Sequence, residues 1–521
     1  SGIENEKIAN LSYFVNGAEV LNQEVGIRMH GGISRTFQSK SIALYSRSDY
    51  GKPNMDYKFF NDLPYDSFDK LVLRNSGGDF HNTMFRDAMN QEVCRFLYPD
   101  REACQNTITF VNGEYWGILN LRDRYGDSYF KRVYNADAID HLEANAVPKE
   151  GDAANYNAMI SYIGSHPLSV PANYDYIKTQ LDPENFADYF IANIFLLNED
   201  WPNNNIEYWR NKIATNNPGA ANGLDGRWRW LFHDMDNTFG VVSDNVNLNS
   251  LAIATSVDTA PTNPDWSTFL LRKMLENPTF KNYFINRFAD LLNTSFLSSR
   301  VTSIIETMKN EIYGEIPEHI ARWKSPANIG DYDYYVQSEK DFATQRPALQ
   351  RNHIRSVFAI SSNINANLDV DDASHGYVKI NTIDIKDGTP GIVGIPYPWT
   401  GVYFSNIPVT VKAVANPGFV FSNWSGASSS TSAEITLTPS ATFNLVAHFV
   451  PQTVASSQPI YFWMMDGTIP NNQPLQTLNS SFHVPASSGV IQYQSCLVGY
   501  PFTSADPLWR KASMERRNSP T

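Results

Sequence analysis

The chain of 521 residues has only three cysteines, Cys94, Cys104 and Cys496, too few for a disulfide framework or a cysteine-built metal site. Cys94 and Cys104 are read as buried free thiols rather than a bridge. No apolar run is long enough to cross a membrane as a helix. The ten histidines show no His-x-x-x-His spacing, which argues against a zinc hydrolase. There is no Gly-x-Ser-x-Gly elbow for a serine hydrolase, and neither a Walker loop nor Gly-x-Gly-x-x-Gly for a standard phosphate cradle. Charged residues make up only 18% and the net charge is −13, so the basic field that releases counterions from nucleic acid is missing. The chain opens Ser1-Gly2 without a basic, apolar leader, which fits either a removed signal segment or an intracellular protein. The abundance of Asn, Ser, Tyr and Thr leans towards export.

What the chain does have is two acidic clusters on either side of an apolar strand. The first runs Asn198-Glu199-Asp200-Trp201-Pro202-Asn203-Asn204-Asn205. The second runs Trp228-Arg229-Trp230-Leu231-Phe232-His233-Asp234-Met235-Asp236-Asn237-Thr238-Phe239-Gly240. Phosphoryl transfer needs a carboxylate to orient the acceptor hydroxyl, with an amide and a second carboxylate to hold divalent metal. Asp200 and Asn205 have the five-residue step of a kinase catalytic loop, and Asp234 precedes a Phe-Gly as the later metal-binding acid does. Asp200 is therefore the candidate base, although alone it reads as well as an Asx turn. Asn205 is the candidate neutral metal ligand, with Asn203 and Asn204 as alternative registers. Asp234, ending an apolar strand, would be costly unless paired or metal-bound. Asp236, two residues on, falls on the same side of an extended chain and serves as second ligand or support. A divalent cation is the expected partner of two such acids.

Further motifs precede these clusters: Gly26-Ile27-Arg28-Met29-His30-Gly31-Gly32-Ile33-Ser34 with Lys40-Ser41, Leu71-Val72-Leu73-Arg74-Asn75, Asp79, Phe85-Arg86-Asp87 and Val111-Asn112-Gly113-Glu114-Tyr115-Trp116-Gly117. In order and spacing, residues 27 to about 358 resemble the CotH kinase family, the spore coat protein H-like atypical kinases. The resemblance implies ATP with Mg²⁺ or Mn²⁺, export, and Asp234 as principal metal ligand. Arg28, Lys40 and Arg74 are the candidate phosphate or nucleotide contacts. Relatives tend to carry Glu after the Val-Asn-Gly hairpin, whereas this chain has Leu121-Arg122-Asp123-Arg124. Asp123 is the shorter carboxylate expected to engage Lys40.

The fold expected is α+β, with a β-rich N-terminal lobe and a helical C-terminal lobe in an atypical kinase domain over 1–365, followed by small all-β domains. Thr107 to Leu121 reads as a hairpin turning at Asn112-Gly113. A helix is expected from Phe85 to Leu97, capped by Asn82 or Thr83. Pro183 to Asn198 reads as a buried helix leading into the first cluster. Trp266–Phe296, Val301–Ile316 and Phe342–Val357 read as amphipathic helices, the last starting near Arg346-Pro347. Over 371–452 the texture becomes strand-rich, and Gly418-Phe419-Val420-Phe421-Ser422-Asn423-Trp424-Ser425-Gly426 resembles the divergent internalin-type repeat, a spacer or adhesion module. A partial β-sandwich is expected over 457–521. The functional expectation is an extracytoplasmic kinase acting on Ser/Thr of a surface or envelope protein, with possible cell-surface attachment. The alternative is a catalytically degraded, kinase-like surface protein that binds or adheres.

Overall fold

The computed structural model describes residues 3–257 and 263–452. The β domain expected over 457–521 and Cys496 lie outside the described residues. The fold is α+β. Its N-terminal lobe carries β1 (Lys7–Val15), β2 (Ala18–His30), β3 (Ser41–Tyr45), the short pair β4 (Met55–Asp56) and β5 (Ser67–Phe68), β6 (Lys70–Arg74), β7 (Cys104–Val111) and β8 (Glu114–Arg122). Six of these form one antiparallel sheet in the order β1-β2-β3-β6-β8-β7. Period-two alternation buries Leu21 and Val25 on β2 against Leu44, Leu71, Leu121 and the ring cluster of Phe59, Phe60 and Phe68. The β7–β8 hairpin turns at Asn112 (φ 52°) and Gly113 (φ 80°), both left-handed as an Asn-Gly turn requires.

Helix α1 (Arg86–Val93) is shorter than the sequence suggests, and neither Asn82 nor Thr83 caps it. The acceptor comes from further back. Asp79 takes the backbone N–H of Arg86 at 3.0 Å and the hydroxyl of Thr83 at 2.7 Å, doing from a buried loop what an N-cap does locally. Cys94 and Cys104 are both free thiols.

The helical lobe comprises α2 (Asp127–Tyr134), α3 (Ala154–Ser165), α4 (Pro171–Ile177), α5 (Pro183–Phe195), α6 (Ser250–Thr255), α7 (Asp265–Met274), α8 (Pro278–Leu292), α9 (Ser298–Ile312), α10 (Ile316–Trp323) and α11 (Ile329–Phe358). Embedded in it is a second antiparallel sheet, β10 (Val147–Glu150), β9 (Ile139–Glu143), β11 (Glu207–Asn211) and β12 (Arg229–Leu231). The β11–β12 pairing joins Tyr208 to Trp230, as the two aromatic runs suggest. The single helix expected from Trp266 to Phe296 is two. Pro278 removes a donor, and the Asn277 side chain caps the restart by accepting from Thr279 N (2.9 Å) and Phe280 N (3.2 Å).

Proline misleads again at Pro347, which does not start a helix but sits inside the 30-residue α11. The carbonyl it would leave without a donor is that of Ala343. Ser298 Oγ donates to this oxygen at 2.8 Å, so the lost backbone bond is replaced from a neighbouring helix.

Two four-stranded sheets follow. One has the order β16 (Trp399–Phe404), β13 (Asn363–Val370), β20 (Phe443–Pro451), β18 (Phe419–Gly426); the other has β15 (Ile383–Ile385), β14 (Gly376–Ile380), β17 (Val409–Ala415), β19 (Glu434–Leu437). Trp424 is fully buried beside Phe421, its indole N–H donating to Ser432 O at 2.9 Å. This apolar interior is continuous with that of the helical lobe. A polar ridge on α8 locks the two together. Asn286 donates to Pro408 O (2.6 Å), Asn293 exchanges bonds with both backbone groups of Val402 (3.0 Å each), and Arg287, paired with Asp188, donates to Thr382 Oγ1 (2.8 Å). Asp290 accepts from Thr382 N (3.0 Å), Thr382 Oγ1 (2.6 Å) and Tyr403 OH (2.8 Å).

Removing the Asp290 carboxylate would strand these buried donors, so Asp290→Ala should lower unfolding free energy by roughly 3 kcal/mol in urea titration. A change below about 0.5 kcal/mol, the range of ordinary surface substitutions, would contradict the lock. A second test concerns Glu339 of α11, which lies 3.2 Å from Arg86 Nε and 3.0 Å from Thr83 Oγ1. Burial, aided by nearby Asp79 and only partly offset by Arg86, raises its carboxyl to about 8. A raised acid favours folding while protonated, so this contribution is complete below the unfolded value near 4.5 and is lost as pH climbs to about 8. The melting temperature of the wild type should therefore fall relative to that of Glu339→Gln as pH rises across that window; parallel curves would contradict it.

Candidate active site

The two acidic clusters adjoin through main-chain bonds. Glu199 N donates to Asn237 O (2.9 Å) and Phe239 N to Leu196 O (2.8 Å). The first cluster begins where α5 ends. Leu197 turns left-handed (φ 53°) and Asn198, tied to Asn193, accepts the N–H of Asp200 at 3.2 Å. Trp201 anchors the following loop by burying its ring against Phe190 and Tyr189. The loop then returns Asn204 and Asn205 to the acid, and each side-chain amide donates to Asp200 Oδ2 at 3.0 Å. Asn205 Nδ2 also lies 3.3 Å from the backbone oxygen of Asp234, and Asn237 Nδ2 lies 3.5 Å from Asp200 Oδ2. One amide thus spans the first cluster's acid and the second cluster's main chain.

In the second cluster the chain leaves β12 and is no longer extended. Asp234 is left-handed at φ 48°, as Asn205 is at 54°. Asp234 and Asp236 do not line up by strand alternation, yet both reach the same cation. Arg74 Nη2, at the end of β6, contacts Asp234 Oδ1 and lies 2.7 Å from Asp236 Oδ2. Gly78 N donates to Asp236 Oδ2 at 2.7 Å, and a Cβ on Gly77 (φ 57°) would come within 2.1 Å of that oxygen. Glycine is required there by both space and backbone.

The two carboxyls differ in charge state. Burial would raise Asp234, but Arg74 and His233 hold it down at about 2. Burial and the neighbouring Asp234 charge push Asp236 up to about 7. His233 stands between Glu102 (3.1 Å) and Glu207 (3.5 Å). Burial opposes its charging, yet those two carboxylates outweigh it and raise the imidazole to about 9.

Of the four candidate nucleotide contacts, only Arg74 reaches the acidic segments. Arg28 is bound to Glu6 (2.6 Å) and lies over the Tyr45 ring at 4.2 Å. Lys40 donates to the carbonyls of Arg35 (2.7 Å) and Phe37, closing the turn at Ile33–Thr36. Asp123 accepts from Arg132 with both oxygens (2.7 and 2.5 Å). The expected pairing of Lys40 with Asp123 does not form among the described residues, because each has a nearer partner. Gly77, Gly78 and Asn90 were not singled out from sequence, and Asp87 and His233 entered only as members of quoted motifs without a role at the site. The one available signal was helix α1, whose buried face carries Asp87 and Asn90 where apolar residues belong.

Two family models match the chain. The CotH kinase protein model covers residues 27–349, and the divergent InlB B-repeat domain model covers residues 382–453. No curated protein matches it. With most of its length matched and two acidic segments meeting beneath a β-rich lobe, the chain belongs to the CotH kinase family and carries a divergent InlB B-repeat after its kinase-like domain.

Proposed function

We propose that the protein is an atypical kinase that moves the γ-phosphoryl group of ATP to a Ser or Thr hydroxyl of a surface or envelope protein outside the cytoplasm. The observation that carries this reading is the Asn205 amide, which binds the Asp200 carboxylate (3.0 Å) and the Asp234 carbonyl (3.3 Å) at once. Asp200 orients the acceptor hydroxyl and takes its proton as the new O–P bond forms and the bond to the ADP oxygen breaks. Asp200 remains partly exposed, as a group that meets a protein substrate must be.

The donor chemistry fits Mg²⁺ or Mn²⁺, which take hard oxygen ligands. Asp234, whose side chain is 32% exposed, and Asn205 would hold the metal, with Asp236 behind them as second ligand or support. Among the described residues no group of three or more His, Cys, Asp or Glu side chains could hold a metal ion, so phosphate oxygens and water would have to complete the shell of Asp234 and Asn205. A bound metal would neutralise charge on the phosphates. Arg74 adds a fixed positive charge at the same place. Export is supported by the B-repeat, and no helix among the described residues is long and apolar enough to cross a membrane.

A second reading is a kinase-like surface protein that binds without transferring phosphate. It is favoured by Lys40, whose ammonium is spent on its own turn, and by Arg74, which already satisfies both acids.

Incubation with labelled ATP and Mn²⁺ separates the two. The kinase reading expects label on the protein or a supplied substrate, reduced about 100-fold or more in Asp234→Ala and in Asp200→Asn, as loss of a transition-state contact demands. A wild type that transfers no label to itself or to envelope proteins would favour the binding reading.

A further inference from the structure

Asp234 and Asp236 flank Met235, and the backbone of Met235 is held on both sides from helix α1. Its N–H donates to Asp87 Oδ1 at 2.8 Å, and its carbonyl accepts from Asn90 Nδ2 at 2.7 Å. The first bond fixes the peptide that follows Asp234; the second fixes the peptide that precedes Asp236. The remaining Asn90 N–H reaches Thr238 Oγ1 at 2.6 Å, and Arg86 Nη1 donates to Thr238 O at 2.8 Å. Asn90 is fully buried, and Asp87 and Arg86 nearly so. A helix face normally given to apolar packing is spent here on a few backbone atoms of one loop.

The need for such holding is local. A non-glycine residue at φ 48° is uncommon and persists where its surroundings impose it. Free of α1, the Asp234 main chain would relax towards the right-handed or extended regions, moving its carbonyl from Asn205 and its carboxylate from Arg74. Asp87 is itself steadied by Arg122 at 2.9 Å, and Arg86 by Asp79 and by Glu339 of α11 at 3.2 Å each. The loop bearing the acids is thus referenced to both lobes through a single turn of helix.

We propose that Asn90 and Asp87 are positioning residues that clamp the Met235 peptides and thereby set the affinity of the Asp234–Asp236 segment for divalent metal. The proposal rests on the metal-holding role given to Asp234 above. Neither residue touches nucleotide or metal in this account; each acts through the backbone it holds.

The test uses Asn90→Asp, which keeps the shape but has no N–H to donate, and Thr238→Val, which removes the hydroxyl that accepts from Asn90 and donates to Met235 O at 3.1 Å. Asp87→Asn serves as the conservative arm, since its amide oxygen still accepts the Met235 N–H. Two readouts are taken on the full chain: hydrogen exchange of peptides spanning 233–240, and Mn²⁺ binding by electron paramagnetic resonance, alone and with ATP. Asn90→Asp should speed local exchange about 10-fold and weaken Mn²⁺ about 10- to 100-fold, the loss usual when a supporting partner of a metal ligand is removed. Thr238→Val should move both readouts in the same direction by less, and Asp87→Asn, which keeps the bond to the Met235 N–H but leaves Arg122 without its counter-charge, should also fall short of the Asn90→Asp effect. Wild-type exchange and Mn²⁺ affinity in folded Asn90→Asp, or in Thr238→Val if the former does not fold, would overturn the clamp. A wild type that takes up no Mn²⁺ with or without ATP would overturn the metal reading beneath it, an outcome distinct from unchanged variants of a metal-binding wild type.

Discussion

One guanidinium, that of Arg74, is shared by the two acids of the segment following β12, and this shared charge joins the β-rich lobe to the helical one. Taking three charges out of water is expensive, and a buried pair is stabilising only when its remaining hydrogen-bonding capacity is met. Here it is met only in part: Gly78 N donates to Asp236 and the His233 charge lies near Asp234, while Arg74 Nε stays buried without a hydrogen-bond partner. Burial and the neighbouring Asp234 charge raise Asp236, while Arg74 and His233 hold Asp234 down. A divalent cation arriving at Asp234 would meet a site in which Arg74 already bridges both acids.

The same economy governs the junction between the helical lobe and the B-repeat. Asn286, Asp290 and Asn293 recur along α8 at the spacing of one helix face and are committed to hydrogen bonds with the repeat. A module tethered only by a linker would leave that face to solvent. The continuous apolar interior beneath the ridge makes the repeat a structural part of the helical lobe rather than a separate spacer.

Much of this was legible in the sequence because the determinants are local or periodic. Asn112-Gly113 specifies its turn, Tyr208-Trp209 and Trp228–Leu231 specify paired strands, and the Asp200-to-Asn205 step marks one loop. What was not legible depends on partners distant in the chain. Pro347 reads as a helix start until Ser298 is seen to satisfy the carbonyl it would otherwise orphan. Lys40 reads as a phosphate contact until the carbonyls of its own turn are seen to hold it, and Asp123 as its partner until Arg132 is found closer. Arg74 was legible as a cation near the cleft but not as the one both acids share, since strand alternation put those acids on a common face and the left-handed turn at Asp234 brings them together by another route.

The central claim is that the segments bearing Asp200 and Asp234 grip a cation together. Anomalous diffraction from crystals soaked in Mn²⁺ and a non-hydrolysable ATP analogue tests it most directly. A manganese peak is expected about 2.1 Å from a carboxylate oxygen of Asp234 and from the side-chain oxygen of Asn205, with the terminal phosphate facing Asp200. A nucleotide bound elsewhere, or manganese coordinated by neither residue, would contradict it.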